Sequence, residues 1–430
     1  LSLGGALSIA FQVDGLSCIF AVLVSLLWPL ACLYAVEYMS REGSENRFFA
    51  FYLVSFGVTL GIAFSANVLT MYLFYELLTL ATLPLVMHHM DGKARYAGRI
   101  YLTYSMCGAA LGFIAMVLMI EHGAVFFQFG GSVAVTPDKE NTLRMAYILG
   151  FFGFGVKAAV FPGHKWLLRA SVAPTPVTAL LHAVAVVKAG VFAVARITWY
   201  GFGPELLRGS WCQYLAMGAA LFTIVYASSK ALRTKHLKRR LAWSTISNLS
   251  YILLGIAALT TAGLAAGMVH LVVHAVLKIT LFFCVGAIHY KMHRDFVADV
   301  EGCGVLMPVV FSSFAVASLG LMGVPPLAGF ASKWLLATAA VDLEEWIGYL
   351  AAAVLIISAL LTALYLMEIV LLAFFPRQNR QLTVRVPKQA RRDPNFRMTV
   401  PLTVLSVGSV AIGLGSGGLE QMISLLLGIR

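Results

Sequence analysis

Residues 267–283 read GMVHLVVHAVLKITLFF, an apolar run interrupted by His270, His274 and Lys278. The apolar character extends over 264–289, enough to cross a hydrocarbon core about 30 Å thick as a helix. The three titratable residues follow an i, i+4, i+8 spacing, which puts them on one helical face about 6 Å apart along the axis per step. An ammonium facing lipid at mid-bilayer costs roughly 2.5–3.5 kcal/mol on insertion scales, so this helix is expected to turn its polar face to protein.

The rest of the chain has the same character. Sixty per cent of the 430 residues are hydrophobic, 12% are charged and mean hydropathy is +0.86. A water-soluble domain so poor in charge would expose large apolar patches. Apolar runs recur near 14–38, 48–66, 68–87, 100–120, 143–160, 174–198, 212–228, 241–259, 264–289, 304–340, 347–375 and 398–420. Alternating polarity is absent, which argues against a β-barrel. The expectation is an all-α polytopic membrane protein of roughly twelve transmembrane helices. Leu1 leads into the first span without a basic segment, so no cleavable leader is read, and the missing Met suggests a late start.

The net charge of +12 reports topology rather than nucleic-acid binding. Loops 39–47, 88–99, 161–173, 229–240, 290–302 and 376–397 fall on one side and carry 22 Lys or Arg, against 4 on the other. That asymmetry marks the first side as cytoplasmic and allows contact with anionic lipid. Five basic residues remain inside spans: Lys157, Lys188, Arg196, Lys278 and Lys333. Arg196 lies near a span end and is expected to snorkel; Asp14 and Glu37 flank the first span and Glu368 lies towards the end of its own. The six cysteines have no haem, iron–sulfur or CxxC spacing and read as small hydrophobes.

Two stretches break the helical pattern: 155–184, with Pro162, Pro174 and Pro176, and 318–340, with Pro325 and Pro326. Each break lies near a buried lysine, Lys157 or Lys333. Broken backbone in a membrane survives only against protein or a water-filled cavity, and paired breaks in oppositely oriented halves suggest an inverted repeat over 48–198 and 212–375. The KWLL match at 165 and 333 mispairs the lysines. The remaining divisions are an N-terminal helix at 1–47, a linker at 199–211, a basic cytoplasmic loop at 376–397 and a C-terminal helix at 398–430.

Glu76 is the acidic residue deepest in a span, and Lys157 is its expected partner. The pair reads either as a static bridge or as a switch, in which Lys157 holds its proton while paired and releases it when the pair opens. His270, His274 and Lys278 read as a proton relay, since imidazole titrates near neutrality; structural histidines and a metal site are the alternatives, the latter without a nearby Cys or carboxylate. His182 and Lys188 lie six apart, on different faces unless the helix start is distorted. His88 and His89 fall at a surface. No nucleophile, nucleotide loop or redox ligand set is seen.

VKAAVFPGHKWLLRASVAPTPVTALLHAVAVVKAGVF at 156–192 closely resembles the signature of the antiporter-like subunits of complex I, Mrp cation/proton antiporters and membrane-bound hydrogenases. VDGLS at 13–17, RFFAFYLVSF at 47–56, NVLTMYLFYELLTL at 67–80, LKRRLAWSTISNLSYILLG at 237–255, HLVVHAVLKITLFF at 270–283 and GVPPLAGFASK at 323–333 extend the resemblance over nearly the whole chain. It implies two inverted five-helix repeats, each containing a broken helix. It also implies proton-translocation roles for Glu76, Lys157, His182, Lys188, His270, His274, Lys278 and Lys333. Protons would enter from the cytoplasm near Lys157, pass the central residues and leave past Lys333. Partners would be further membrane subunits and a peripheral redox arm holding any iron–sulfur, nickel–iron or flavin centres; this chain would hold no cofactor or metal. Having both His182 and Lys188 is similar to the Mrp and hydrogenase branches. Two helices usual at the family's N-terminus and the lateral helix of its largest complex I member are not seen. The implied location is a prokaryotic cytoplasmic membrane, and the rivals are a sodium/proton exchanger and a purely structural subunit.

Overall fold

In a bilayer every backbone N–H and C=O must be satisfied within the protein, so long apolar runs without alternation become helices. A computed structural model describes residues 2–4, 7–376 and 393–429; residues 377–392, the body of the predicted basic loop, lie outside the described residues. A two-stranded antiparallel pair, Ser2–Gly4 with Leu7–Ser8, precedes an all-helical body.

The first half runs α1 Gly15–Met39, α2 Glu45–Ala63, α3 Val68–Val86, α4 Gly92–Glu121, α5 Glu140–Gly155 and α6 Lys165–Ala170. Next come α7 Thr175–Ala179, a π-helical turn Leu180–Val184, α8 Val186–Arg196 and a second π-helical turn Ile197–Phe202, which together form one continuous rod. After the single turn α9 Pro204–Leu207 come α10 Trp211–Arg233, α11 Leu237–Ala257 and α12 Thr261–Met292. The chain closes with α13 Cys303–Leu306, α14 Pro308–Met322, α15 Ala328–Val341, α16 Trp346–Phe374, α17 Phe396–Leu414 and α18 Ser416–Leu426. Several starts are fixed by capping side chains that satisfy otherwise orphaned amides. Asp14 accepts from Ser17 N at 2.8 Å, Asn67 from Thr70 N at 2.8 Å, and Thr260 from Gly263 N at 3.0 Å.

Nine helices among the described residues are long and apolar enough to cross a membrane, and the protein is an integral membrane protein. The expected number was roughly twelve. The expected span 304–340 is two short helices, α14 and α15, because GVPPL at 323–327 interrupts the ladder. Likewise α5 stops at Gly155 instead of reaching 160, and α11, though long enough, is made too polar by Ser244, Thr245, Ser247, Asn248 and Ser250 to count; the last expected span is represented by α17, with α18 following Gly415. The broken backbone is satisfied by protein: Trp166 Nε1 donates to Val156 O at 2.8 Å, and Phe161 N donates to Thr223 Oγ1 at 3.2 Å.

Two elements form the centre. The apolar window of 175–202 is entirely buried and that of α12 is 94% buried, whereas the other seven are 33–56% buried. Helix ends define two faces. One gathers the loops after α1, α3, α6, α10 and α12 and is termed the basic end; there His289 Nδ1 meets Asp295 Oδ1 at 2.9 Å and Leu237 N donates to Asp295 O at 2.8 Å. At the opposite end Gln12 N donates to Phe64 O at 2.8 Å, Phe127 N to Ala66 O at 2.8 Å and Gly130 N to Trp199 O at 2.9 Å.

Candidate functional site

Lys157 follows the last turn of α5, where the broken backbone turns its side chain towards α3. Its ammonium lies 4.0 Å from Glu76 Oε1, donates to Tyr75 O and stands 3.4 Å from the centre of the Tyr75 ring. Tyr75 is itself held, its hydroxyl donating to Phe154 O at 2.8 Å. Lys157 is buried, whereas the Glu76 side chain is 23% exposed. The carboxylate thus lies nearer the protein surface than the ammonium, although its Oε1, facing Lys157, is itself buried.

The segment carrying Lys157 lies against α8 at Gly190. A Cβ at 190 would fall 2.4 Å from Ala158 N and 2.9 Å from Lys157 Cβ, so only glycine admits this approach. Two residues before it, Lys188 Nζ meets His274 Nδ1 of α12 at 2.6 Å. The π-helical turn at 180–184 adds a residue to the first turns of the rod and shifts the facing of His182 relative to Lys188. Both are consequently buried against α12: His182 Nε2 is 3.3 Å from Ser171 Oγ, and its ring packs 4.8 Å from that of Phe282.

On α12 the i, i+4, i+8 spacing places His270, His274 and Lys278 in one line. The two imidazole centroids are 6.0 Å apart. His270 Nδ1 lies 2.9 Å from Ser332 Oγ, Nε2 lies 3.3 Å from Asn248 Oδ1, and the ring stacks on Tyr251. Lys278 donates to Leu241 O at 2.9 Å and to Ser244 Oγ. Beside Ser332, Lys333 donates to Leu321 O at 2.6 Å and Met322 O at 3.1 Å, capping the orphan carbonyls at the end of α14. The fold thus brings all eight predicted residues into one band, six of them buried and Glu76 and Lys333 partly exposed. Replacing Ser332 by alanine removes the hydroxyl bonded to His270; if the band carries protons, as the sequence leads one to expect, the rate of pH-gradient formation in membrane vesicles falls about tenfold, in line with the loss of one hydrogen bond.

Two polar cavities approach this band from the helix ends. At the basic end one of about 200 Å³ is lined by Glu42, Ser171, His236, Lys238, His289 and Asp295, among others, and Ser171 links it to His182. The hydrogen bond from His289 holds the Asp295 carboxyl below the usual carboxylate range, while burial pushes the His236 imidazole down. At the opposite end a cavity of about 390 Å³ is lined by Thr261, Ala262, Ala266, Thr338, Asp342 and Glu420, among others.

Sequence reasoning did not foresee several partners. Arg196 does not snorkel: it is 1% exposed and forks onto Asp14 and Ser17, with Nη2 3.0 Å from Asp14 Oδ1. Burial in a ring of aromatic side chains keeps it inside. Glu368 is bound by buried Arg240, whose Nη1 lies 2.7 Å from its Oε2. Glu37 accepts from Tyr290 at 3.2 Å and lies 3.4 Å from Asn395 Nδ2. His88 is 4% exposed, its Nε2 3.1 Å from Gly43 O, and so is not a free surface histidine. A charge near a span edge was the available signal, but spacing does not reveal a partner 182 residues away. The described residues contain no group of three or more His, Cys, Asp or Glu placed to hold a metal, and all six cysteines are free.

Comparison with known proteins adds the evolutionary frame. A family model described as NADH:quinone oxidoreductase/Mrp antiporter, TM, matches residues 65–362 of this chain. The chain belongs to that family. A second model, NADH-Ubiquinone oxidoreductase (complex I), chain 5 N-terminus, matches residues 1–49. Among curated relatives, the Na(+)/H(+) antiporter subunit A1 of Staphylococcus aureus strains JH9 and Newman is 28% identical over 433 aligned positions, covering 95% of this chain and 53% of the relative. The chain therefore spans about half the length of the curated relatives it matches. The Mrp complex from Dietzia sp. DQ12-45-1b shares the fold, with a TM-score of 0.84 at 23% identity over 98% of this chain and 84% of the other. An archaeal membrane-bound sulfane sulfur reductase does so with a TM-score of 0.84 at 21% identity, over 98% and 83%. The antiporter-family match covers every predicted site residue, from Glu76 to Lys333.

Proposed function

We propose that this chain is a proton-translocating, antiporter-like membrane subunit that works in an assembly with other membrane subunits. The contact that carries this reading is Lys188 to His274 at 2.6 Å, which joins the polar groups of the two central elements inside the protein. A proton passing from the Lys188 ammonium to His274 Nδ1 frees the imidazole to release one from Nε2 on the far side. The next ring, His270, has its centroid 6.0 Å away, a separation one bridging water spans. Ser332 and Lys333 then carry the path towards the opposite end. Lys278 and His182, both within the electrostatic field of His274, form the branch from the basic-end cavity through Ser171. Opening and closing of the Glu76–Lys157 pair sets whether Lys157 retains its proton, and Glu76, partly exposed, is the group through which a neighbouring subunit acts. On this reading the basic end is cytoplasmic and the membrane is a prokaryotic inner membrane.

The relatives' name favours a second reading, in which the assembly exchanges Na⁺ for H⁺. In the redox-driven case, iron–sulfur, nickel–iron or flavin centres belong to partner subunits. One experiment separates these and tests the first. The chain is purified from its native membrane in mild detergent and its companions are identified by mass spectrometry and metal analysis. Everted vesicles are then assayed for pH-gradient formation with electron donors and with Na⁺. Donor-driven acidification supports the redox-coupled pump; gradient collapse specific to Na⁺ supports the exchanger. If neither occurs and substitutions of the buried lysines impair only assembly, the chain is a structural subunit.

A further inference from the structure

The Lys188–His274 contact is a junction from which two ladders lead towards the opposite end. On α12, moving outward from His274 in steps of four, come His270, Ala266 and Ala262, and the last two line the 390 Å³ cavity with Asp342 and Glu420. That ladder opens. On α8, moving outward from Lys188 by the same step, come Phe192 and Arg196. Phe192 stacks on Phe20 with ring centroids 5.0 Å apart, closing the helix face with hydrocarbon. The Arg196 guanidinium follows, 5.1 Å from the Phe192 ring, 4.6 Å from Tyr200 and 5.5 Å from Phe127.

Arginine cannot be deprotonated in a protein, so it is a fixed positive charge that cannot join a relay. A proton moving outward along α8 meets it about 12 Å beyond Lys188, eight residues at the helical rise. Its counter-charge, Asp14, lies farther out: the carboxylate caps the start of α1 at the opposite mouth and its side chain is 25% exposed. A lone arginine at a constriction is how selective pores repel protons and cations.

We propose that Phe192 and Arg196 form a proton barrier at the opposite end of the first half, so that charge reaching the Lys188–His274 junction leaves only along α12. The barrier depends on the translocation reading above, since it presupposes a mobile proton at Lys188. It differs from a mere tether between α1 and α8 in one respect. A tether fails equally when either member of the pair is lost, whereas a barrier needs the positive charge and not its counter-ion.

The test uses everted native-membrane vesicles containing the chain with its own partners, and reads passive proton influx after an imposed pH jump with no driving substrate. Arg196→Met is expected to raise the leak about tenfold or more, the effect of removing one fixed charge at this distance in a protein interior. Asp14→Asn retains the helix cap and leaves the arginine charge unopposed, so those vesicles stay tight. The double variant Arg196→Met with Lys188→Met loses the leak, because the path to the breach is cut. Tight Arg196→Met vesicles overturn the proposal, as does a leak in Asp14→Asn, or one that persists in the double variant. Should Arg196→Met fail to accumulate, Arg196→Gln, which also lacks the charge, is read in its place, and tight vesicles there overturn the proposal. Driven transport in Lys278→Ala vesicles is read alongside: its persistence defeats the translocation reading, whereas its loss with a tight Arg196→Met defeats the barrier alone.

Discussion

On the proposed translocation reading, Lys278→Ala is expected to abolish proton movement while the chain still accumulates in the membrane. The expected fall is about a hundredfold or more, the usual cost of removing a group that must give and take a proton. Accumulation survives because the deletion orphans nothing: Ser244 Oγ donates to Leu241 O at 2.9 Å, so the two groups that hold the ammonium satisfy each other once it is gone. Removing a buried charge also lifts a desolvation cost. The rate of pH-gradient formation, normalised to the amount of chain by immunoblot, checks this. A normal rate removes Lys278 from the path.

Gly190→Val acts on geometry alone and is expected to have the second-largest effect. The new Cβ would stand 2.4 Å from Ala158 N and 2.7 Å from Lys157 C, and neither backbone atom can swing aside. The 156–164 segment and α8 must separate, at a cost of about 1–3 kcal/mol for overpacking. Lys157 then retreats from the Lys188 row, and transport per molecule falls as well as thermal stability in detergent. Gly190→Ala suffers the same clash at Cβ with less added bulk, so its loss is smaller. Wild-type transport in Gly190→Val would show that the approach of the two segments is dispensable.

These sites were legible in the sequence to different depths. The line of His270, His274 and Lys278 follows from spacing on one uninterrupted helix, so a four-residue period sufficed. The Glu76–Lys157 pairing was readable because few buried carboxylates were available to satisfy a buried lysine. His182 and Lys188 were harder, since six residues place them apart on an α-helix, and only the π-helical turn at 180–184 brings both towards α12. No residue pattern announced that turn. The contacts of Ser171, Ser244, Ser332 and Asn248 were not readable at all, because polar residues of that kind are common in helices and their partners are set by tertiary packing. The division of 304–340 into α14 and α15 was hidden for a related reason: proline and glycine mark where a ladder breaks, but not whether the pieces remain one crossing.

The cap that Lys333 forms has a further consequence. Two carbonyls, Leu321 O and Met322 O, take two of its three N–H bonds, and the Tyr251 ring lies 5.6 Å away on another side. A neutral amine still has two N–H donors. Lys333 can therefore lose its charge without loosening the end of α14. On the proposed reading, the junction between α14 and α15 keeps its cap in both protonation states of Lys333, so a change of charge there need not move the backbone.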